Sequence, residues 1–195
     1  CIDRELLKLM KKAGCYLISF GTESGDDLLL NGISKGLKVK DNLEGIRMTR
    51  EAGLQVFLTN MIGLPEETYE QSSKTIQFSL DSGAEYATFG ITEPYPGTEL
   101  WVDAQKFGYF DTSGQHQNSL LSENSSVWVP HGRTRKELEQ ISFKGFCRFY
   151  FRPRIVWNTI KNFYYMPFGR ALRFISAGIK YLCLSFKGVK SGTRA

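Results

Sequence analysis

The stretch GLQVFLTNMIGLPEET, Gly53 to Thr68, reads as a helix stop, a buried strand and the start of the next helix. Gly53 closes the helix before it. Val56, Phe57 and Leu58 form the short β-prone apolar run that a fully covered parallel strand needs. Gly63, Pro65 and the Glu66-Glu67-Thr68 group stop the strand and open another helix. The same order recurs upstream in AGCYLISFGTESG, Ala13 to Gly25, and downstream in SGAEYATFGITEPYPGT, Ser82 to Thr98. Helix, glycine, strand and polar loop thus repeat three times. This predicts parallel strands at about 16–20, 54–60 and 86–91, ordered 1-2-3 by right-handed connections. Chemistry in such sheets gathers at the carboxyl ends of the strands, so the three following loops are the candidate sites.

Around these strands the pattern is helical. Asp3 caps a helix to Ala13 with Leu6, Leu7, Leu9 and Met10 as its apolar stripe, and Gly14 ends it. Asp41 is placed as the cap of a helix to Ala52, with Leu43, Ile46 and Met48 inward. Thr68 to Ser82 carries Ile76, Phe78 and Leu80. The span 109–131, with DTSGQHQNSLLSENSS inside it, lacks periodicity and reads as a polar surface loop or linker. Helix resumes over Thr134 to Phe151, and Pro153 and Pro167 each open a further one. The expected division is 1–108, 109–131 and a basic helical extension, 132–195.

Charge follows that division. Residues 1–130 hold 11 Lys and Arg against 18 Asp and Glu, whereas 131–195 hold 14 against 2. The overall pI near 9.0 therefore describes the tail. Within the tail, Leu172, Ile175, Ile179, Leu182 and Phe186 share one helical face, and Arg173, Lys180 and Lys187 form a separate basic stripe. That pattern suits peripheral contact of 167–190 with a membrane surface, a protein partner, or packing with a solvated edge. No nucleic-acid partner is expected. Hydrophobic residues make up 42% of the chain, and its mean hydropathy is -0.27. The opening CIDRELLKLMKK does not read as a signal peptide, and no apolar run is long enough to span a bilayer. A cytoplasmic location is the expectation, with membrane-peripheral contact as the alternative the tail leaves open. Cys1, Cys15, Cys147 and Cys183 have no zinc or redox spacing and are expected as reduced thiols. The chain begins without Met inside a βα repeat, which suggests a fragment.

Glu23 and Ser24 stand just past the first strand. There a carboxylate accepts hydrogen bonds from ribose hydroxyls or an amine, and a serine donates or accepts. Capping the next helix is the alternative. Lys35, twelve residues on, suits a ligand carboxylate as a point charge, or is merely solvated. Asn60 to Gly63 lets backbone approach a planar ligand because Gly63 has no side chain, or is only a tight turn. Glu93 and Tyr95 follow the third strand and face substrate, or Pro94-Tyr95-Pro96-Gly97 only fixes a bend.

Taken in order, the glycine-x-glutamate-serine loop, the Lys35-Gly36 pair, GLPEET and EPYPGT resemble the second half of a radical S-adenosylmethionine enzyme core. The subgroup is the one often joined to a cobalamin-binding domain. The resemblance covers Asp3 to Leu100, and FYFRP at Phe149 to Pro153 resembles a helical segment that follows the barrel. It implies a partial (βα)6 barrel of the TIM-barrel-like type, of which this chain holds strands four to six. It implies Glu23 and Ser24 at the ribose and methionine part of S-adenosylmethionine, and Lys35 at the methionine carboxylate. The family's Gly-x-Ile-x-Gly-x-x-Glu aligns with Thr59 to Glu66, keeping Gly63 and Glu66, which leaves an adenine-facing backbone at Asn60 and Gly63. A 4Fe-4S cluster on Cys-x-x-x-Cys-x-x-Cys belongs to the family, but that spacing is absent from these 195 residues. The implied whole is an enzyme in which the cluster reduces S-adenosylmethionine, or methylation passes through cobalamin, acting on a small-molecule substrate. The alternative is a non-catalytic α/β module whose basic helical tail binds a membrane surface or protein.

Overall fold

The computed structural model describes residues 2–112, 127–153 and 155–157. In chain order these form α1 (Arg4–Lys12), β1 (Leu17–Glu23), α2 (Asp27–Gly32), α3 (Val39–Glu51), β2 (Gln55–Ile62), α4 (Tyr69–Asp81) and β3 (Tyr86–Ile91). There follow α5 (Glu99–Val102), α6 (Ala104–Phe107), β4 (Gly108–Asp111), β5 (Val127–Pro130) and α7 (Arg135–Tyr150). β1, β2 and β3 make a three-stranded sheet in that order, parallel throughout. The three expected strands and their order are all present. Each gap between them holds at least one helix, as parallel pairing requires.

Period two sorts the sheet into two faces. Val56, Leu58, Asn60 and Ile62 of β2 are buried, as are Ala87 and Phe89 of β3. Helices cover this face. Gly45 of α3 is the reason that helix can sit close, since a Cβ there would lie 3.2 Å from the Phe20 ring. Gly145 does the same for α7, where a Cβ would meet the Phe89 ring at 2.9 Å and Ile76 at 3.1 Å. The alternate positions form a second, half-open face. There Phe57 packs edge-on against Tyr86, with ring centroids 6.5 Å apart.

Several local expectations shift. β1 runs on to Glu23, through an irregularity between Gly21 and Glu23 that keeps Glu23 opposite Asn60. Lys38 occupies the N-cap of α3, and Asp41 lies three residues in, accepting the Lys38 N–H at 2.9 Å. The buried face of α3 is Asn42, Gly45, Ile46 and Thr49, at steps of three, one and three, and Leu43 falls outside it. The 109–131 stretch is not loop at its ends. Tyr109 pairs with Val129 and Phe110 with Trp128 in an antiparallel ladder, and the Trp128 indole N–H donates to the Ala104 carbonyl at 3.0 Å. Four-residue strands beside a polar run leave too little periodicity to show in sequence.

The chain divides into compact units at 1–149 and 150–195, where the sequence suggested breaks after 108 and 131. α7 up to Phe149 belongs to the first unit. In the second, the described residues are 150–153 and 155–157, where the Val156 N–H donates to the Arg152 carbonyl at 3.0 Å. The amphipathic helix expected over 167–190 lies outside the described residues, as does the middle of the polar stretch.

Gly25 is the tightest approach between loop and helix. A Cβ there would meet the Phe78 Cβ at 2.7 Å, the Lys74 carbonyl at 2.8 Å and the Thr75 Cα at 2.9 Å. Two of those atoms are backbone and cannot swing aside. Gly25→Ala should therefore cost about 1–3 kcal/mol, the usual range for overpacking. Gly32→Ala, with nothing within 4 Å of its Cβ, should cost nothing. Thermal unfolding of the two variants in the full protein checks the contrast.

Candidate functional site

The end of β1 places a carboxylate and an ammonium side by side. Glu23 Oε1 accepts from Lys35 Nζ at 3.0 Å, with the two side chains 21% and 30% exposed. The pair lies over Gly21, where a Cβ would stand 2.7 Å from the Glu23 oxygen and 3.2 Å from the Lys35 nitrogen. A side chain there would have to push the pair aside. Glu23 itself adopts φ of 58°, a left-handed conformation that a non-glycine residue holds at a cost and that clusters at functional sites. Glu23 does not cap α2. That task falls to Asp26, which accepts the Leu28 N–H at 3.1 Å.

Behind this pair the loop is pinned to α4. Ser24 is buried; its hydroxyl meets Thr75 Oγ1 at 3.2 Å and accepts the Asp26 N–H at 3.1 Å. The Gly25 N–H donates to the same threonine at 3.0 Å. Asp26 accepts from Lys74 Nζ at 2.8 Å and Gln71 Nε2 at 3.2 Å. Burial pushes the Asp26 carboxyl up. Hydrogen bonds from Lys74 and Gln71, the Lys74 charge and the Leu28 amide outweigh that, and its pKa lies below the ordinary 3.8.

The end of β2 is organised by a buried carboxylate. Glu67 accepts the N–H of its own turn at Gly63, and that of Leu64 at 2.9 Å. The glutamate kept from the family pattern is thus a neighbour of the one that works here: Glu66 is exposed, with φ of 58°, and turns Glu67 inward. Burial pushes the Glu67 pKa above 4.5, and the two amides, Ser72 and the Arg133 charge offset this only in part. Gly63, at φ of 81°, needs to be glycine, but the space beside its Cα is filled from behind. A Cβ there would lie 3.1 Å from the Leu138 side chain. Asn60 is buried between strands, accepting from Thr22 Oγ1 at 2.8 Å and donating to the Thr88 carbonyl at 2.9 Å.

The structure therefore brings Glu23 and Lys35 together at the half-open face, and places the side chains of Ser24 and Asn60 in the supporting layer. Glu93 is half-buried after β3. Tyr95 is exposed, and its carbonyl accepts the Thr98 hydroxyl at 2.7 Å, which fixes the Pro94–Gly97 bend. Sequence reasoning missed Asp26, Thr75, Glu67 and Arg133. The Ser-Gly-Asp-Asp run before an apolar helix was a signal for Asp26. Arg133 had none that pointed to the turn, since Glu67 and Ser72 lie 66 and 61 residues away. Among the described residues there is no cluster of three metal-ligating side chains and no helix long and apolar enough to cross a membrane.

Comparison with known proteins gives a consistent picture. Residues 1–79 match the Radical SAM superfamily. An uncharacterized methyltransferase of Pyrococcus horikoshii is 28% identical over 88% of this chain and 37% of its own length. The anaerobic magnesium-protoporphyrin IX monomethyl ester cyclase of Cereibacter sphaeroides is 31% identical over 77% of this chain and 24% of its own. This chain thus spans well under half of each relative. A structure of the radical S-adenosylmethionine methyltransferase TsrM from Kitasatospora setae, with cobalamin and a [4Fe-4S] cluster bound, superposes with a TM-score of 0.57 at 16% identity. It covers 79% of this chain and 35% of that one, a likeness of fold.

The two buried carboxylates predict opposite slopes of stability against pH. Glu67 holds its proton more tightly folded than unfolded. Its contribution is full below the ordinary 4.5 and is lost as pH rises through the raised folded value. Asp26 contributes above 3.8 and loses that as pH falls through its lowered value. Denaturant midpoints measured across the acid range should lose the fall with rising pH in Glu67→Gln. They should lose the fall with falling pH in Asp26→Asn.

Proposed function

The chain belongs to the radical S-adenosylmethionine superfamily, and we propose that residues 1–108 form the half-barrel that holds S-adenosylmethionine in such an enzyme. The observation that carries this is the Glu23–Lys35 pair at the carboxyl end of β1. Both groups are part-exposed on the half-open face, and their charges match a ligand that bears hydroxyls, an ammonium and a carboxylate. Glu23 would accept from ribose hydroxyls, and Lys35 would take the methionine carboxylate. Asn60 and Gly63 would supply backbone for the adenine, with Ser24 behind them. When bound, this cofactor supplies one-electron chemistry or a methyl group. Glu93 and Tyr95 would face a small-molecule substrate. No general acid or base is assigned.

The 4Fe-4S cluster does not fit residues of this chain. Cys15 and Cys147 are far apart in sequence, and neither has a thiolate neighbour at cluster spacing. Thiolate ligands, and a place for cobalamin of the kind TsrM carries, would come from elsewhere in the full protein. A radical reaction on a small molecule is the proposed outcome, with methyl transfer suggested by the similarity to methyltransferases and a cyclisation by the similarity to the cyclase.

Binding of S-adenosylmethionine to the full-length protein, followed by calorimetry, tests this. Hydrogen bonds to charged groups are worth roughly 1.5–3 kcal/mol, so Glu23→Ala and Lys35→Ala should each lose about tenfold to a hundredfold in affinity. Because the two residues touch, the double variant should lose less than the product of the single losses. Full affinity in both single variants removes the pair from the site.

A further inference from the structure

We propose that Arg133 is a positioning residue for the turn after β2, so that the segment beyond the polar stretch helps to shape the ligand-holding face. The proposal rests on the reading of that face just given. Arg133 is 8% exposed, two residues before α7 begins. Its Nη1 donates to the Glu67 carbonyl at 2.9 Å and to the Ser72 hydroxyl at 3.4 Å, and its Nε meets Glu137 Oε1 at 2.6 Å. The same stretch of chain supplies Leu138, which fills the space left by the missing side chain of Gly63. The turn is thus gripped twice by one short segment, once at the residue whose carboxylate closes it and once at its glycine.

Two atoms of this arrangement add nothing to stability. Arg133 Nη2 and Glu67 Oε1 are both buried without a hydrogen-bond partner. Buried groups left in that state are costly, and replacing buried ions by apolar residues often stabilises a fold. What a guanidinium offers instead is two donors fixed in one plane, Nη1 on the Glu67 carbonyl and the Ser72 hydroxyl and Nε on the Glu137 carboxylate, which a lysine ammonium cannot span with the same geometry. It fixes where Glu67 stands relative to α4, and Glu67 in turn fixes the amides of Gly63 and Leu64. The backbone just before those amides, at Asn60 to Gly63, is the part assigned to the ligand.

The test uses the full-length protein and two readouts. Arg133→Met removes the fork and keeps much of the volume. It should bind S-adenosylmethionine about tenfold or more weakly by calorimetry, and the amides of Gly63 and Leu64 should exchange with solvent about tenfold or more faster. Arg133→Lys should recover part of both. Glu137→Gln, which loosens the outer partner of the guanidinium, should move both in the same direction by less, and serves if Arg133→Met does not fold. Unchanged affinity and exchange in these variants overturn the proposal. So does lost affinity with unchanged exchange at Gly63 and Leu64, because the arginine would then act elsewhere. If instead Glu23→Ala and Lys35→Ala keep full affinity, the ligand reading fails by itself. The exchange of the two amides still decides whether Arg133 holds the turn.

Discussion

The carboxylate of Glu67 closing on the amides of its own turn is the contact on which the carboxyl end of the sheet depends. A strand that ends at Ile62 and a helix that begins at Tyr69 leave backbone amides with no ladder or helix to serve them. Glu67 takes two of them and Arg133 takes its carbonyl, so the turn is closed by side chains rather than by water. The first turns of α4 then serve a second loop. Gln71 caps the helix through the Thr68 N–H at 3.0 Å and also donates to Asp26, while Thr75 holds Ser24 and Gly25. One helix thereby fixes the loops after both β1 and β2. A displacement of α4 would move both loops together.

That arrangement also explains what sequence could and could not disclose. Strands were legible because each is a short β-prone run bounded by glycine and a polar turn, and parallel order followed from the helix between each pair. Strand ends were not, because β1 continues through Gly21-Thr22-Glu23, where only Thr22 favours a strand, carried by pairing with a neighbour some forty positions on. Glu66 and Glu67 are indistinguishable as letters. Which one turns inward is set by the left-handed backbone at Glu66. The candidate site was legible at Glu23 and Lys35, where a motif order named them. Its supporting residues lie far apart in sequence: Asp26 reaches Lys74, and Arg133 reaches Glu67. Local pattern carries no information about such pairs.

Two carboxylate–lysine pairs stand close together in this fold, and their surroundings assign them different work. Asp26 is 7% exposed and receives three donors, of which Lys74, itself 63% exposed, is one. Breaking that pair leaves a buried carboxylate still served by Gln71 and Leu28, so the site is built to keep its charge. The Glu23–Lys35 pair is part-exposed on both sides, and an ion pair of that kind contributes only about 0–1 kcal/mol net. A ligand that offers each partner a group of matching charge or a set of hydroxyls can therefore displace the pair at small cost. Yet Glu23 holds a left-handed backbone angle, and a Cβ on Gly21 would run into the pair itself. A strained, closely fitted frame around a weak ion pair is an arrangement that folding alone does not call for.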